Sequence, residues 1–174
     1  MRVVIMSVGT NGDVYPFTGL AARAKEAGHD VTFATTEPFR SAVEESGIGF
    51  HPVDADVREL LRTAPRINRK RIRWGPSSGR ALFEAAQNYT TIMVNAFDSM
   101  LVAAEHADVL LVASGVSWQG YLIGKALNTP TMGLAMMPMT PTREFSPALY
   151  GGRSFGPLLN RLAGPAHRHA VTRS

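Results

Sequence analysis

Residues 3–21 read VVIMSVGTNGDVYPFTGLA, and the architecture follows from them. Val3 to Val8 is a short, β-branched apolar run closed by Gly9, the pattern of a strand buried on both faces. Pro16 stands where the first turn of a helix tolerates it, and Phe17, Leu20, Ala21, Ala24 and Ala27 recur at helical spacing until Gly28 stops them. The order is strand, glycine turn, helix.

The unit repeats along the chain. Asp30 to Thr35 predicts a second strand, Pro38 to Ser46 a helix closed by Gly47, and Ile48 to Val53 a third strand. A long helical pattern from Arg80 to His106 leads into the apolar run Asp108 to Ala113, followed by a helix over Trp118 to Leu127 and a strand over Thr131 to Met136. Alternating βα units with short connections predict an α/β fold, a Rossmann-like parallel sheet with helices on both faces. Residues 54–78 break the rhythm: they contain RTAPRINRKRIRWGPSS, rich in arginine and without period, and read as a mobile basic excursion. After Pro138 the chain reads as a loop through Gly152, then as weak helix from Phe155 to Leu162.

Composition narrows the function. The 174 residues suit one domain, and 45% hydrophobic with 18% charged residues is ordinary for a folded α/β protein. The absence of cysteine excludes disulfides, thiolate catalysis and Cys-ligated metal. Residues 3–8 are too few for a signal sequence or a membrane span, so a cytoplasmic location is expected. A net charge of +4 permits acidic partners without requiring them.

Ligands of open α/β sheets bind outside the carboxyl ends of the strands, which directs attention to GTNGDVYPF, residues 9–17. A dinucleotide fingerprint needs glycine where Asn11 and Val14 stand, and a P-loop needs a GK[ST] ending that is missing. Asp13 would also repel a pyrophosphate. A carboxylate here serves either as a general base or as a first-turn residue that satisfies free backbone N–H groups.

These residues carry a resemblance. GTNGDVYPFTGLAARAKEAGHDVTFAT resembles the opening of GT-B glycosyltransferases, in particular the branch acting on sterols, macrolides, glycopeptides and glycolipids. HADVLLVASGVSWQGYLIGKALNTPTMGL is similar to the later strand, helix and strand of that family, and MPMTPTREFSPAL to the loop that follows. The resemblance implies that residues 1–174 are an acceptor-binding domain whose donor-binding, C-terminal partner domain is absent from this chain. It further implies an inverting transferase that needs no metal and no cofactor, with a nucleotide sugar as co-substrate held by the other domain. Asp13 matches the residue proposed as base, and the loop after the last strand borders the acceptor cleft. Two positions depart from the pattern. Asn11 replaces an arginine, and Ala113, Ser114 and Gly115 supply no acid where histidine-based relatives place one.

Candidate acceptor contacts are Thr10, Asn11 and Gly12 in the turn, with Ser114, Trp118, Met136, Met137, Thr140 and Thr142 along the same edge. Thr10 and Asn11 either line the site or close the turn; Trp118 is a pocket wall or an inter-helix anchor. The methionines either line a pocket or pack in the core, where Met132 is expected. His51, His106, His167 and His169 show no metal-ligand pattern and read as surface residues. The cations Arg66, Arg69, Lys70, Arg71 and Arg73 beside Trp74 read as a solvated loop or a membrane-surface contact; without a recognition fold they do not indicate nucleic acid. The rival to the transferase reading is a non-catalytic module that binds a small apolar molecule, or a helper of a full-length transferase.

Overall fold

Burial is continuous from the third residue of the chain. In β1 (Arg2–Met6) Val3 to Met6 are all buried, as a strand with neighbours on both sides and helices on both faces requires. The computed structural model describes residues 1–57, 76–136, 142–145, 154 and 156–161, apart from the side chains of 76–86, 88, 89 and 93. Two compact units emerge, Met1–Met132 and Gly133–Ser174.

The remaining elements are α1 (Asn11–Glu26), β2 (Asp30–Thr35), α2 (Arg40–Glu45), β3 (Gly49–Pro52), α3 (Pro76–Ala104), β4 (Val109–Ala113), α4 (Ser117–Leu127) and β5 (Thr131–Leu134). Short 3₁₀ turns, Glu37–Phe39 and Ser114–Val116, lead into α2 and α4. The strands form one five-stranded parallel sheet in the order β3-β2-β1-β4-β5. Register is set by pairs such as Ile5 with Phe33 and Met6 with Val112.

This order has a physical consequence. The chain builds β1, β2 and β3 outward in one direction, then returns through α3 to place β4 on the other side of β1. The strand order therefore reverses between β1 and β4, and the carboxyl edge of such a sheet is where ligands bind. Val4, Met6, Leu110 and Val112 face a core shared with Ala96, Met100 and Ala104 of α3 and Ile123 of α4. Val3, Ile5, Val31 and Phe33 point to the opposite face, where α1 packs on β2 through a stripe of buried Val14, Phe17 and Ala21. Ile5 and Phe33 are wholly buried, which stabilises the fold by roughly 1.5–3 kcal/mol for each such side chain.

Several expected boundaries shift. α1 begins at Asn11, so Pro16 lies inside the helix and not in its first turn. Proline there withholds the N–H that would reach the Gly12 carbonyl, and the interior position is tolerated so near the helix start because few turns precede it. β1 ends at Met6 and β5 at Leu134, each two residues short of the reading from sequence. Met132 is 61% exposed, a correction to its expected core position: β5 is an edge strand with a single neighbour. Residues 76–78, read as the end of the basic excursion, belong to α3. Its beginning is tied down, since the Asp54 N–H donates to Ser99 Oγ at 3.0 Å and Ala55 and Val57 pack against the core. The rest of the excursion, with Arg66, Arg69, Lys70, Arg71, Arg73 and Trp74, lies outside the described residues, as do His167 and His169.

In the second unit, residues 157–161 are helical. There the buried Asn160 donates from Nδ2 to the Arg143 carbonyl at 3.0 Å and to Ser154 Oγ at 3.1 Å.

Candidate functional site

The turn after β1 is built around Asp13. Thr10 takes the N-cap position of α1 with extended backbone (φ −94°, ψ −178°), which makes Asp13 the third helical residue. From there its carboxylate folds back: Oδ2 accepts the Thr10 N–H at 2.7 Å and the Thr10 hydroxyl at 3.0 Å. This is the carboxylate half of a capping box, and it suits the positive end of the helix dipole. The fold-back requires glycine at position 9, because a Cβ there would lie 2.3 Å from Asp13 Oδ2. From beneath, the buried Ser7 hydroxyl donates to the Asp13 carbonyl at 2.7 Å. The opposite oxygen, Oδ1, takes no hydrogen bond from the described residues, and Asp13 is exposed.

Asp13 therefore serves as a cap through one oxygen, and the other oxygen has no partner among the described residues. The two readings of this residue do not compete for the same atom.

Beside the turn lies a cleft of about 880 Å³, lined by Gly9, Thr10, Asn11, Tyr15, Thr36, Glu37, Pro38, Phe39, Asp56 and Val57. It spans the carboxyl ends of β1, β2 and β3, and its volume falls within the range of small-molecule sites. Tyr15 follows Asn11 by four residues and shares its helical face. The Tyr15 ring meets the Phe39 ring edge-on, with centroids 5.7 Å apart and planes at 86°. At the same rim Glu37 is clamped by Arg40, which donates to its two oxygens at 2.6 and 3.1 Å and to Glu44 at 3.0 Å. The Arg40 hydrogen bond holds the Glu37 carboxyl below its usual range, and bonding to Glu37 and Glu44 raises the guanidinium in turn. Arg40 also lies over the Phe50 ring, 4.2 Å from its centre.

Of the residues expected at the site, Thr10 and Asn11 line the cleft, and Gly12 and Asp13 continue the same turn. Ser114 stands in the neighbouring turn: a Cβ on Gly115 would lie 3.2 Å from the Val8 carbonyl, so the turns after β1 and β4 touch. Trp118 is on α4, 40% exposed, and does not line the cleft. Met136 and Thr142 belong to the second unit, where Met136 is exposed and Thr142 Oγ1 accepts the Glu144 N–H at 3.2 Å. Met137 and Thr140 lie outside the described residues. No group of acidic or histidine side chains suited to a metal ion occurs among the described residues.

Tyr15, Thr36, Glu37, Pro38, Phe39, Asp56 and Val57 were not anticipated. The signal for most of them was available, because Thr36 to Phe39 follow β2 directly and Asp56 follows β3, at the same carboxyl edge that singles out the first turn.

A sheet of this order with helices on its faces is the N-terminal, Rossmann-like half of a GT-B glycosyltransferase. Residues 3–146 match the glycosyltransferase family 28 N-terminal domain, and the chain belongs to that family. It is 32% identical over 154 residues to the sterol 3-beta-glucosyltransferase UGT80B1 of Arabidopsis thaliana, covering 83% of this chain and 24% of that protein. It is 30% identical over 163 residues to the sterol 3-beta-glucosyltransferase of Neurospora crassa, covering 93% of this chain and 10% of that one. The chain thus spans a quarter or less of these curated relatives. Among solved structures, the glycosyltransferase SnogD from Streptomyces nogalater superimposes with a TM-score of 0.58 at 24% identity, over 99% of this chain and 42% of that one. SsfS6 of Streptomyces sp. SF2575, complexed with thymidine diphosphate, gives 0.57 at 21% identity, over 99% and 44%. At such identities the likeness is one of fold.

Proposed function

We propose that this chain is the acceptor-binding domain of an inverting, nucleotide-sugar-dependent glycosyltransferase acting on a hydroxyl of a hydrophobic acceptor of the sterol, polyketide, glycopeptide or glycolipid kind. The observation that carries the reading is the Asp13 carboxylate, fixed through Oδ2 in a turn whose Gly9, Thr10 and Asn11 line a large cleft, while Oδ1 takes no hydrogen bond from the described residues. The acceptor hydroxyl gives its proton to Oδ1 as its oxygen attacks the anomeric carbon. The bond from that carbon to the nucleoside diphosphate breaks on the opposite side, and the configuration inverts. A positioned carboxylate in this role contributes typically ~10²–10⁴-fold in rate. The turn after β1 lacks the glycine spacing of a phosphate cradle, so the donor is assigned to a second domain that closes over the cleft. Sterol glucosyltransferase relatives support the lipophilic acceptor and the sugar donor. The same reading places the enzyme in the cytoplasm, in natural-product or membrane-lipid glycosylation. No described helix is long and apolar enough to cross a membrane.

The test is Asp13→Asn in the intact transferase that carries this domain. The amide keeps the size and one capping acceptor but cannot take the proton. Turnover should fall at least a hundredfold while the acceptor binds as before. Turnover at the wild-type rate would remove Asp13 as the base and leave a binding module.

A further inference from the structure

Beneath the Asp13 turn lies a contact that the helix does not need for its own sake. The first turn of α1 is loosely tied to the rest of the helix, because Pro16 has no N–H to give the Gly12 carbonyl. A tie comes from the sheet instead. Ser7 follows β1 directly, and its N–H donates to the Ala34 carbonyl at 3.1 Å, so its backbone is fixed by strand pairing. The Ser7 hydroxyl, wholly buried, then donates to the Asp13 carbonyl at 2.7 Å. A short bond from a rigid strand thus holds the backbone of the residue that carries the carboxylate. The neighbouring strand offers a comparison. Thr35 stands one step beyond the Met6–Ala34 pair, as Ser7 does, and it too is wholly buried. Its hydroxyl has no partner among the described residues. Of two adjacent buried hydroxyls, only that of Ser7 reaches the turn.

Resting on the assignment of Asp13 as the base, we propose that Ser7 is its positioning residue: the buried hydroxyl sets the height of the Asp13 backbone above the sheet, and with it the place of Oδ1. Thr10 already fixes Oδ2 within the turn, so the remaining freedom of the carboxylate is movement of the turn as a whole. Ser7 restrains that movement. A misplacement of about 1 Å at a reacting group can cost about 100-fold in rate. Ser7 does not line the cleft, and it acts through Asp13 alone.

Two measurements test this. Amide hydrogen exchange on the 174-residue chain reads the turn itself: Ser7→Ala should speed exchange of the Thr10 and Asp13 N–H groups at least about tenfold and leave Val4 and Ile5 of β1 within about twofold. Thr35→Val, which removes the neighbouring hydroxyl, should leave the turn as it was. In the intact transferase that carries this domain, with UDP-glucose and ergosterol as probes, Ser7→Ala should lower kcat at least about tenfold and leave the acceptor KM within about twofold. The same change made on top of Asp13→Asn should cost less than about twofold, because the base it positions is gone. Ser7→Cys, similar in size and a weaker donor, should fall between wild type and alanine. It carries the test if alanine does not fold, and a cysteine variant equal to wild type would then overturn the proposal. Unchanged exchange in the turn, equal acceleration across the sheet, unchanged kcat, or an equal loss of kcat in both backgrounds would each overturn it too. Wild-type turnover by Asp13→Asn alongside the expected exchange pattern would strike the base assignment and leave Ser7 as an anchor of the turn, so the two failures are distinct.

Discussion

Gly9→Ala is the smallest change that should disable the site, and its size can be worked out from the turn. The backbone at Gly9 is not left-handed, so alanine meets no conformational penalty, and the whole effect comes from what its methyl group strikes. That methyl would lie 2.3 Å from Asp13 Oδ2, 2.6 Å from Cγ and 2.7 Å from Cβ. Contacts this short are not tolerated, so the carboxylate must swing out and abandon both hydrogen bonds from Thr10. Loss of a capping interaction costs about 1 kcal/mol, and residual overcrowding adds about 1–2 kcal/mol. The total of about 2–3 kcal/mol corresponds to a fall in Tm of roughly 4–12 °C for a domain of this size. Thermal and urea unfolding measure it directly. A double-mutant cycle sharpens the point: with Asp13→Gly in place the struck side chain is gone, and Gly9→Ala should then cost less than about 0.5 kcal/mol. Unchanged stability of the single variant, or an equal loss in both backgrounds, would refute the fold-back of Asp13 over Gly9.

Three more outcomes are expected. Gln119 is fully buried with neither amide atom hydrogen-bonded by a described residue, so Gln119→Met, similar in volume, should stabilise the chain by about 1–3 kcal/mol, seen as a higher urea midpoint; a lower midpoint would mean the amide has a partner. The Glu37 carboxyl is depressed below its ordinary 4.5 by Arg40, so its contribution to stability is present above that pH and lost as pH falls through the lower folded value. Glu37→Gln should therefore differ from wild type at neutral pH and converge on it in acid, whereas a difference that persists at low pH would contradict the ion pair as its source. Calorimetry with uridine and thymidine diphosphate sugars should show no binding to this chain; micromolar affinity would return the first turn to the nucleotide-binding class.

The sheet and its helices were legible in the sequence because the inner strands β1, β2 and β4 are short, largely apolar and bounded by turn residues, and parallel burial forces that pattern on local composition. The turn at residues 9–13 was legible for the same reason, since glycines and an acid at the start of a helix act over a few residues. Strand order was not. Nothing local says that β4 returns to the far side of β1, yet that crossing brings the turn of Val8 against Gly115. Met132 shows the limit from the other side: its apolar character suggested the core, but exposure depends on whether a strand has one neighbour or two. Asp13 shows it at atomic scale. Its identity allowed a cap or a base, and only the folded turn assigns Oδ2 to Thr10 and leaves Oδ1 without a partner among the described residues, because a hydrogen bond depends on distances of a few tenths of an ångström that no spacing encodes. Tyr15 and Phe39 are separated by a whole strand in the chain, and their perpendicular contact exists only because α1 and the start of α2 converge on the same edge of the sheet.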